Sequence, residues 1–174
     1  MRDWVKWLLV GLLFMAFGVF ALANSVAASL AVTTITGVLF LIAGAAQIVA
    51  GLSGTALGGR FLAILMGVLM AFLGFSFLSN PLEGAISLAM LVLILLAAGG
   101  ILRLSFAWMM RQTPYFWPML LSGAVTILLA AYIGVNFAVV SVPLLGILLG
   151  IELLFNGAGI VAMSLFLRSA GGRR

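Results

Sequence analysis

Apolar residues run almost unbroken through six stretches of the chain, at about 5–23, 30–51, 61–79, 85–107, 117–134 and 141–167. Each is near or above the ~20 residues that a helix needs to cross the hydrocarbon core of a bilayer. Between them the chain reads AN-S, GLSGTALGGR, SNPLEG, MMRQTPYFWP and GVN, all of which carry turn chemistry. The pattern predicts an all-α membrane protein with six transmembrane helices. The sixth run is long, so its first turn, which contains Pro143, is expected at the membrane interface.

Spacing adds a repeat. Gly11, Gly67 and Gly123 are 56 residues apart, as are Asn24, Asn80 and Asn136; Gly18 matches Gly74 and Gly44 matches Gly100 at the same offset. The glycines lie early in the odd-numbered spans and the asparagines at their outer ends. The expected architecture is therefore three parallel two-helix hairpin repeats of about 56 residues, at about 5–56, 61–112 and 117–168, within one membrane domain, 1–174. Two spans per unit give every copy the same orientation, unlike the inverted repeats of many transporters. The first run has a second reading, as a signal peptide: MRDWVK is basic and Ala21-Leu22-Ala23 resembles a cleavage site. Its place as the first copy of two later spans predicts that it is retained. The tip asparagines are expected to cap the following helix or to take a left-handed turn position. Small residues recur at helical spacing, as Ala63, Gly67 and Ala71 in the third span and Gly146 and Gly150 in the sixth. Such faces let helices approach closely in lipid. They are expected to pack within the bundle, with a homo-oligomer interface as the second use.

Composition agrees and narrows the chemistry. The chain is 66% hydrophobic and 6% charged, against roughly 25% charged in soluble domains. It has no Cys and no His, which removes disulfides, thiolate and imidazole metal ligands, Cys nucleophiles and the usual proton-shuttling base. No cofactor, metal or catalytic residue is expected. The acids are Asp3, Glu83 and Glu152. The net charge of +5 is spread too thinly for nucleic acid; anionic lipid headgroups at the cytoplasmic face are the expected partner. With six spans, all eight basic residues (Arg2, Lys6, Arg60, Arg103, Arg111, Arg168, Arg173 and Arg174) fall on or near the side that holds both termini. The positive-inside rule then places the N- and C-termini in the cytoplasm, in a multi-pass protein of the inner or plasma membrane. Trp4, Trp7, Trp108 and Trp117 lie at the same ends, as interfacial aromatics do.

Few strongly polar side chains fall inside the spans: Gln47, Arg103, Glu152 and Asn156, all on even-numbered helices. Gln47 and Arg103 share a repeat position. Without a gap, Glu152 and Asn156 map to positions 40 and 44; a one-residue shift in the third copy aligns Gly150 with Gly37 and Gly157 with Gly44 and moves the pair to 39 and 43. Either way the four share a helix face, because seven or eight residues make about two turns. If equivalent faces converge on a pseudo-threefold axis, the four form one intramembrane polar cluster. Arg103 and Glu152 then differ by roughly 11 to 12 Å in depth at ~1.5 Å per residue, so direct pairing needs tilt or a bridge. The alternatives are that Arg103 snorkels to the interface and that Glu152 is a protonated strut between helices.

GILRL at 100–104, WMMRQ at 108–112 and GIELLF at 150–155 after VSVPLL, set in short repeated hairpins over nearly the full chain, resemble the HdeD-type acid-resistance membrane proteins. The resemblance implies a bacterial inner-membrane protein linked to survival of acid stress, with Arg103 and Glu152 in the family motifs and no catalytic role attached. The chain departs from the pattern at GVNFAVV, which lacks the Asn-Pro of 80–81, and at Gln47, which stands at an Arg-like position.

Three functions compete: a non-enzymatic stress protein of this type, a small transporter or proton channel using the polar cluster, and an intramembrane enzyme. The absence of His and Cys and of paired carboxylates argues against the enzyme. The outer halves of the spans are nearly free of charge, which argues against transport, although Ser76, Ser87 and Thr126 offer a partial polar path. Hydrocarbon disfavours a charged carboxylate and a nearby guanidinium favours it. Glu152 is therefore the expected acid-responsive group.

Overall fold

The computed structural model describes residues 3–53 and 57–171. Arg2, Arg173 and Arg174, which contribute to the orientation argument, and residues 54–56 of the second break lie outside the described residues, as does the side chain of Arg168. The described chain is six helices: α1 Asp3–Ala23, α2 Ser25–Ser53, α3 Leu57–Ser79, α4 Pro81–Met109, α5 Phe116–Val135 and α6 Phe137–Gly171. Each contains a stretch apolar and long enough to span a membrane. In each of those stretches only 17 to 22% of the residues are buried within the protein, which leaves an apolar exterior suited to lipid.

The even-numbered helices begin four or five residues before the apolar pattern does, since α2, α4 and α6 start at Ser25, Pro81 and Phe137. Pro81 suits a first helical turn, where its missing N–H costs no bond. As a result one residue alone, Asn24, Asn80 or Asn136, separates α1 from α2, α3 from α4, and α5 from α6. Each asparagine N–H donates to the carbonyl four residues back, on Phe20, Ser76 or Tyr132, and each asparagine carbonyl accepts from the N–H four residues on, at Ala28, Gly84 or Val140. The expected capping role is corrected here. Asn24 and Asn136 donate their side-chain amides backwards, to Phe20 O at 3.3 Å and Tyr132 O at 2.9 Å, and Asn80 makes no side-chain cap bond. Nor is the left-handed position used, since among the described residues no non-glycine has positive φ. With no loop between the helices, the bend exposes the carbonyls of the preceding turn, and these are what the amide can reach.

The chain forms two compact units: Met1–Ile35 with Pro143–Arg174, and Thr36–Val142. In the first, α1 packs on the later part of α6 through facing glycines. A Cβ on Gly18 would lie 2.9 Å from Gly150 O, and one on Gly157 would lie 2.8 Å from Gly11 O. Ser164 Oγ, fully buried, donates to Trp4 O at 2.5 Å and fastens the two helices near their ends. The start of α2 meets α6 where Gly146 N–H donates to buried Ser29 Oγ at 2.7 Å. Pro143 sits inside α6, half-buried three residues earlier, where it removes one N–H from the helical ladder.

In the second unit α2 packs on α3 and α4 on α5. Gly44 faces Gly67, Gly37 faces Gly74, and Phe40 stacks on Phe77 with centroids 6.1 Å apart. Gly51 and Gly44 also face Ala63 and Ala71, so the small face of α3 packs within the chain, as does the Gly146/Gly150 face of α6. Gly100 faces Ile127, and Gly123 faces Leu104. The sequence repeat couples each odd helix with the even helix after it; the glycine faces seat each odd helix on the even helix before it, with α1 taking α6. Gly157 meets Gly11 as Gly44 meets Gly67, which selects the one-residue shift in the third copy. Close backbone contact of this kind holds membrane helices by van der Waals packing, since lipid offers no hydrophobic drive between them.

Candidate functional site

The four intramembrane polar residues divide between the units. Gln47 is half-buried on α2 and Arg103 exposed on α4, both in the second unit; Glu152 and Asn156 are exposed on α6 in the first.

Arg103 is held across the α4–α5 pair. Its Nη1 donates to Ser122 Oγ at 3.0 Å and to Thr126 Oγ1 at 3.3 Å. Thr126 Oγ1 in turn donates to Ser122 O at 2.7 Å, a bond within α5 that fixes the acceptor hydroxyl. Gly100 faces Thr126 and Ile127, and Leu104 faces Gly123, so the guanidinium lies level with its own turn of α4. That is not the extended posture of a snorkelling side chain. Among the described residues no hydrogen bond joins Arg103 to Gln47. Thr126 was legible as part of a sparse polar path; Ser122 was not, because a lone serine in a span has no pattern. Its position four residues before Thr126, on the face that meets α4, was the available signal.

Glu152 lies fifteen residues from either end of the apolar stretch Phe137–Leu167, at the middle of a span whose hydrocarbon half-thickness is ~15 Å. A glutamate side chain cannot cover that distance to water. One turn on, Asn156 lines a groove of about 500 Å³ between α1 and α6, with Trp7, Phe155 and Met163 among its apolar walls. Asn156 is the amide of this groove, and its Gly159 wall has open space where a Cβ would stand. Among the described residues no group of acidic or metal-binding side chains could hold a metal ion. Toward the ends of α4 and α5 the chemistry is interfacial, with the Arg111 guanidinium 5.7 Å above the Trp108 ring and Trp117 exposed.

Six apolar helices, a repeat of sequence and a handful of polar groups set inside the spans define a multi-pass membrane protein built from short repeats. The family described as "Short repeat of unknown function (DUF308)" matches at residues 9–79 and again at 65–135, two windows displaced by 56 residues. The chain belongs to this family and is of the HdeD type: Protein HdeD of Escherichia coli K12 is 30% identical over 142 residues, covering 78% of this chain and 73% of the relative. The HdeD proteins of Escherichia coli O157:H7 and Shigella flexneri match to the same extent. No solved structure matches.

Proposed function

We propose that this chain is a non-enzymatic protein of the bacterial inner membrane, with both termini cytoplasmic, that contributes to survival of acid or envelope stress. The observation that carries the reading is the identity of 30% to HdeD over 78% of the chain, together with the acid-resistance role that the family resemblance implies. Glu152 is the residue on which the reading places that contribution: a carboxyl at mid-span is costly in lipid unless it is partnered, so its side chain bears on how α6 packs. Arg103 and Gln47 belong to the same proposal as the polar positions of the other even helices.

The test is deletion of the gene in its native host followed by acid challenge. Survival should fall and be restored by the wild-type gene; a deletion strain that survives like its parent overturns the reading. Proteoliposomes carrying the purified protein should show no dye-reported proton or ion flux above empty liposomes. A protein-dependent flux would replace the proposal with a channel or transporter.

A further inference from the structure

Arg103 leaves most of its guanidinium unused. Its bonds to Ser122 and Thr126 both come from Nη1, and among the described residues Nε and Nη2 have no protein acceptor. A guanidinium offers five donors in a fixed fork. Both partners are neutral hydroxyls, so they do not compensate its charge. The acid of its own helix, Glu83, is twenty residues away, or ~30 Å at 1.5 Å per residue.

The site is specific to one copy of the repeat. Moved back by 56 residues, Arg103, Ser122 and Thr126 fall on Gln47, Met66 and Met70, which belong to the α2–α3 pair. In the α6–α1 pair, with the one-residue shift, the same positions are Ile160, Val10 and Phe14. Two of the three helix pairs therefore pack through their glycines without this arginine or these hydroxyls. The scaffold does not require the polar triad, and its three members come together only between α4 and α5.

Two grooves adjoin the guanidinium. One, of about 220 Å³, runs along α4 past Gly99 and Leu96 to Val92, with Thr126 as its other wall. The second, of about 350 Å³, opens toward the α4–α5 loop and is lined by Tyr115, Pro118 and Met119. Gly99 lies one turn from Arg103, and nothing stands within 4 Å of where its Cβ would be. Further along the same face Ala89 and Ala85 are fully buried, which closes the groove beyond Val92. From Val92 to Arg103 is eleven residues, or ~16 Å. Depth fits as well. Arg103 is eight residues past the middle of α4, Leu95, and its partner Ser122 is six residues, or ~9 Å, from the start of α5, Phe116, so the guanidinium lies on the α4–α5 loop side of the middle of both helices. The second groove leads from that end of the helices to the guanidinium between Tyr115, Pro118 and Met119, a route by which a lipid phosphate reaches it, and the first groove takes an acyl chain further toward the middle of the span.

We propose that Arg103, Ser122 and Thr126 form a binding site for the phosphate of an anionic phospholipid in the leaflet on the α4–α5 loop side, with an acyl chain lying in the groove from Gly99 to Val92. The free Nη2 and Nε donate to two phosphate oxygens, the paired geometry that guanidinium groups favour. Net negative charge is required because the site itself carries only positive charge; a zwitterionic lipid brings an ammonium for which the triad has no acceptor carboxylate.

Native mass spectrometry of the full-length protein in detergent tests this, with phosphatidylglycerol or phosphatidylcholine titrated in. Wild type should bind phosphatidylglycerol at least about tenfold more tightly than phosphatidylcholine, and Arg103→Gln should remove that preference, the loss expected for charge-assisted hydrogen bonds. Gly99→Leu fills the groove without touching the α4–α5 contact and should also weaken phosphatidylglycerol binding about tenfold. It keeps the test decisive if Arg103→Gln folds poorly. Wild-type affinity in Gly99→Leu, or in a folded Arg103→Gln, overturns the proposal. So does displacement of the lipid by inorganic phosphate at equal concentration, which would make this a site for free anions.

Discussion

Glycine to alanine at position 44 adds one methyl group where α2 touches α3. The new Cβ would stand 2.6 Å from Gly67 O and 2.7 Å from Ala71 N, both backbone atoms, while ordinary contact begins near 3.4 Å. The helices must therefore separate by about 0.8 Å at this point, since neither atom can rotate away. A gap of 0.5–1 Å forfeits a quarter to a half of each van der Waals contact, and overpacked sites lose about 1–3 kcal/mol. Alanine returns up to ~1 kcal/mol of helix propensity, which leaves a net loss of up to about 2 kcal/mol. At Gly99, where a Cβ meets nothing within 4 Å, the same substitution keeps only the gain and should be neutral or stabilising by up to ~1 kcal/mol. Gly100→Ala falls between them, because its nearest obstacle is the Ile127 side chain at 2.6 Å, while backbone stands back at 3.2 Å. Equilibrium unfolding in mixed micelles, followed by helical circular dichroism, should rank the variants Gly99→Ala, Gly100→Ala, Gly44→Ala from most to least stable. Equal stability of Gly44→Ala and Gly99→Ala would refute the claim that backbone contact at the glycines holds the pairs.

Two further predictions concern the α1–α6 pair. The natural chain has no cysteine, so Leu22→Cys with Gly150→Cys can be read cleanly; a Cβ at 150 lies 2.7 Å from Leu22 Cγ, which suits disulfide geometry. Oxidation in membranes should cross-link that pair, and should not cross-link Leu22→Cys with Gly157→Cys, because Gly157 faces Met15. Ser164→Ala deletes the bond to Trp4 O and should cost about 0.5–1.5 kcal/mol in the same unfolding assay; an unchanged midpoint would mean that the bond does not fasten α1 to α6.

The helices were legible because a span advertises itself by length and apolarity, and the repeat because glycine and asparagine recur at one offset. What the pattern could not state was partnership. Gly44 and Gly67 mark small faces on two helices, but a small face carries no address, and the pairing of α1 with α6 joins segments more than a hundred residues apart. The register of the third copy was open in the sequence because Glu152 and Asn156 align acceptably in two ways; the contact between Gly157 and Gly11 distinguishes them. Turn residues misled at the tips. Asparagine is a common cap, yet here the amides of Asn24 and Asn136 reach backwards because the bend exposes the preceding carbonyls. Arg103 and Glu152 stood out as charges in oil, whereas Ser122 became visible only as the acceptor for Arg103.

Survival of acid is proposed to depend on a single carboxyl at mid-span, Glu152. The most direct test is acid survival of the deletion strain carrying Glu152→Gln, a neutral side chain of the same shape, with membrane accumulation and thermal stability measured at neutral pH. The expected result is wild-type accumulation and stability at neutral pH together with failure to restore survival in acid. Survival equal to that of the wild-type gene would contradict it, and destabilisation at every pH would make Glu152 a strut between helices and not a sensor.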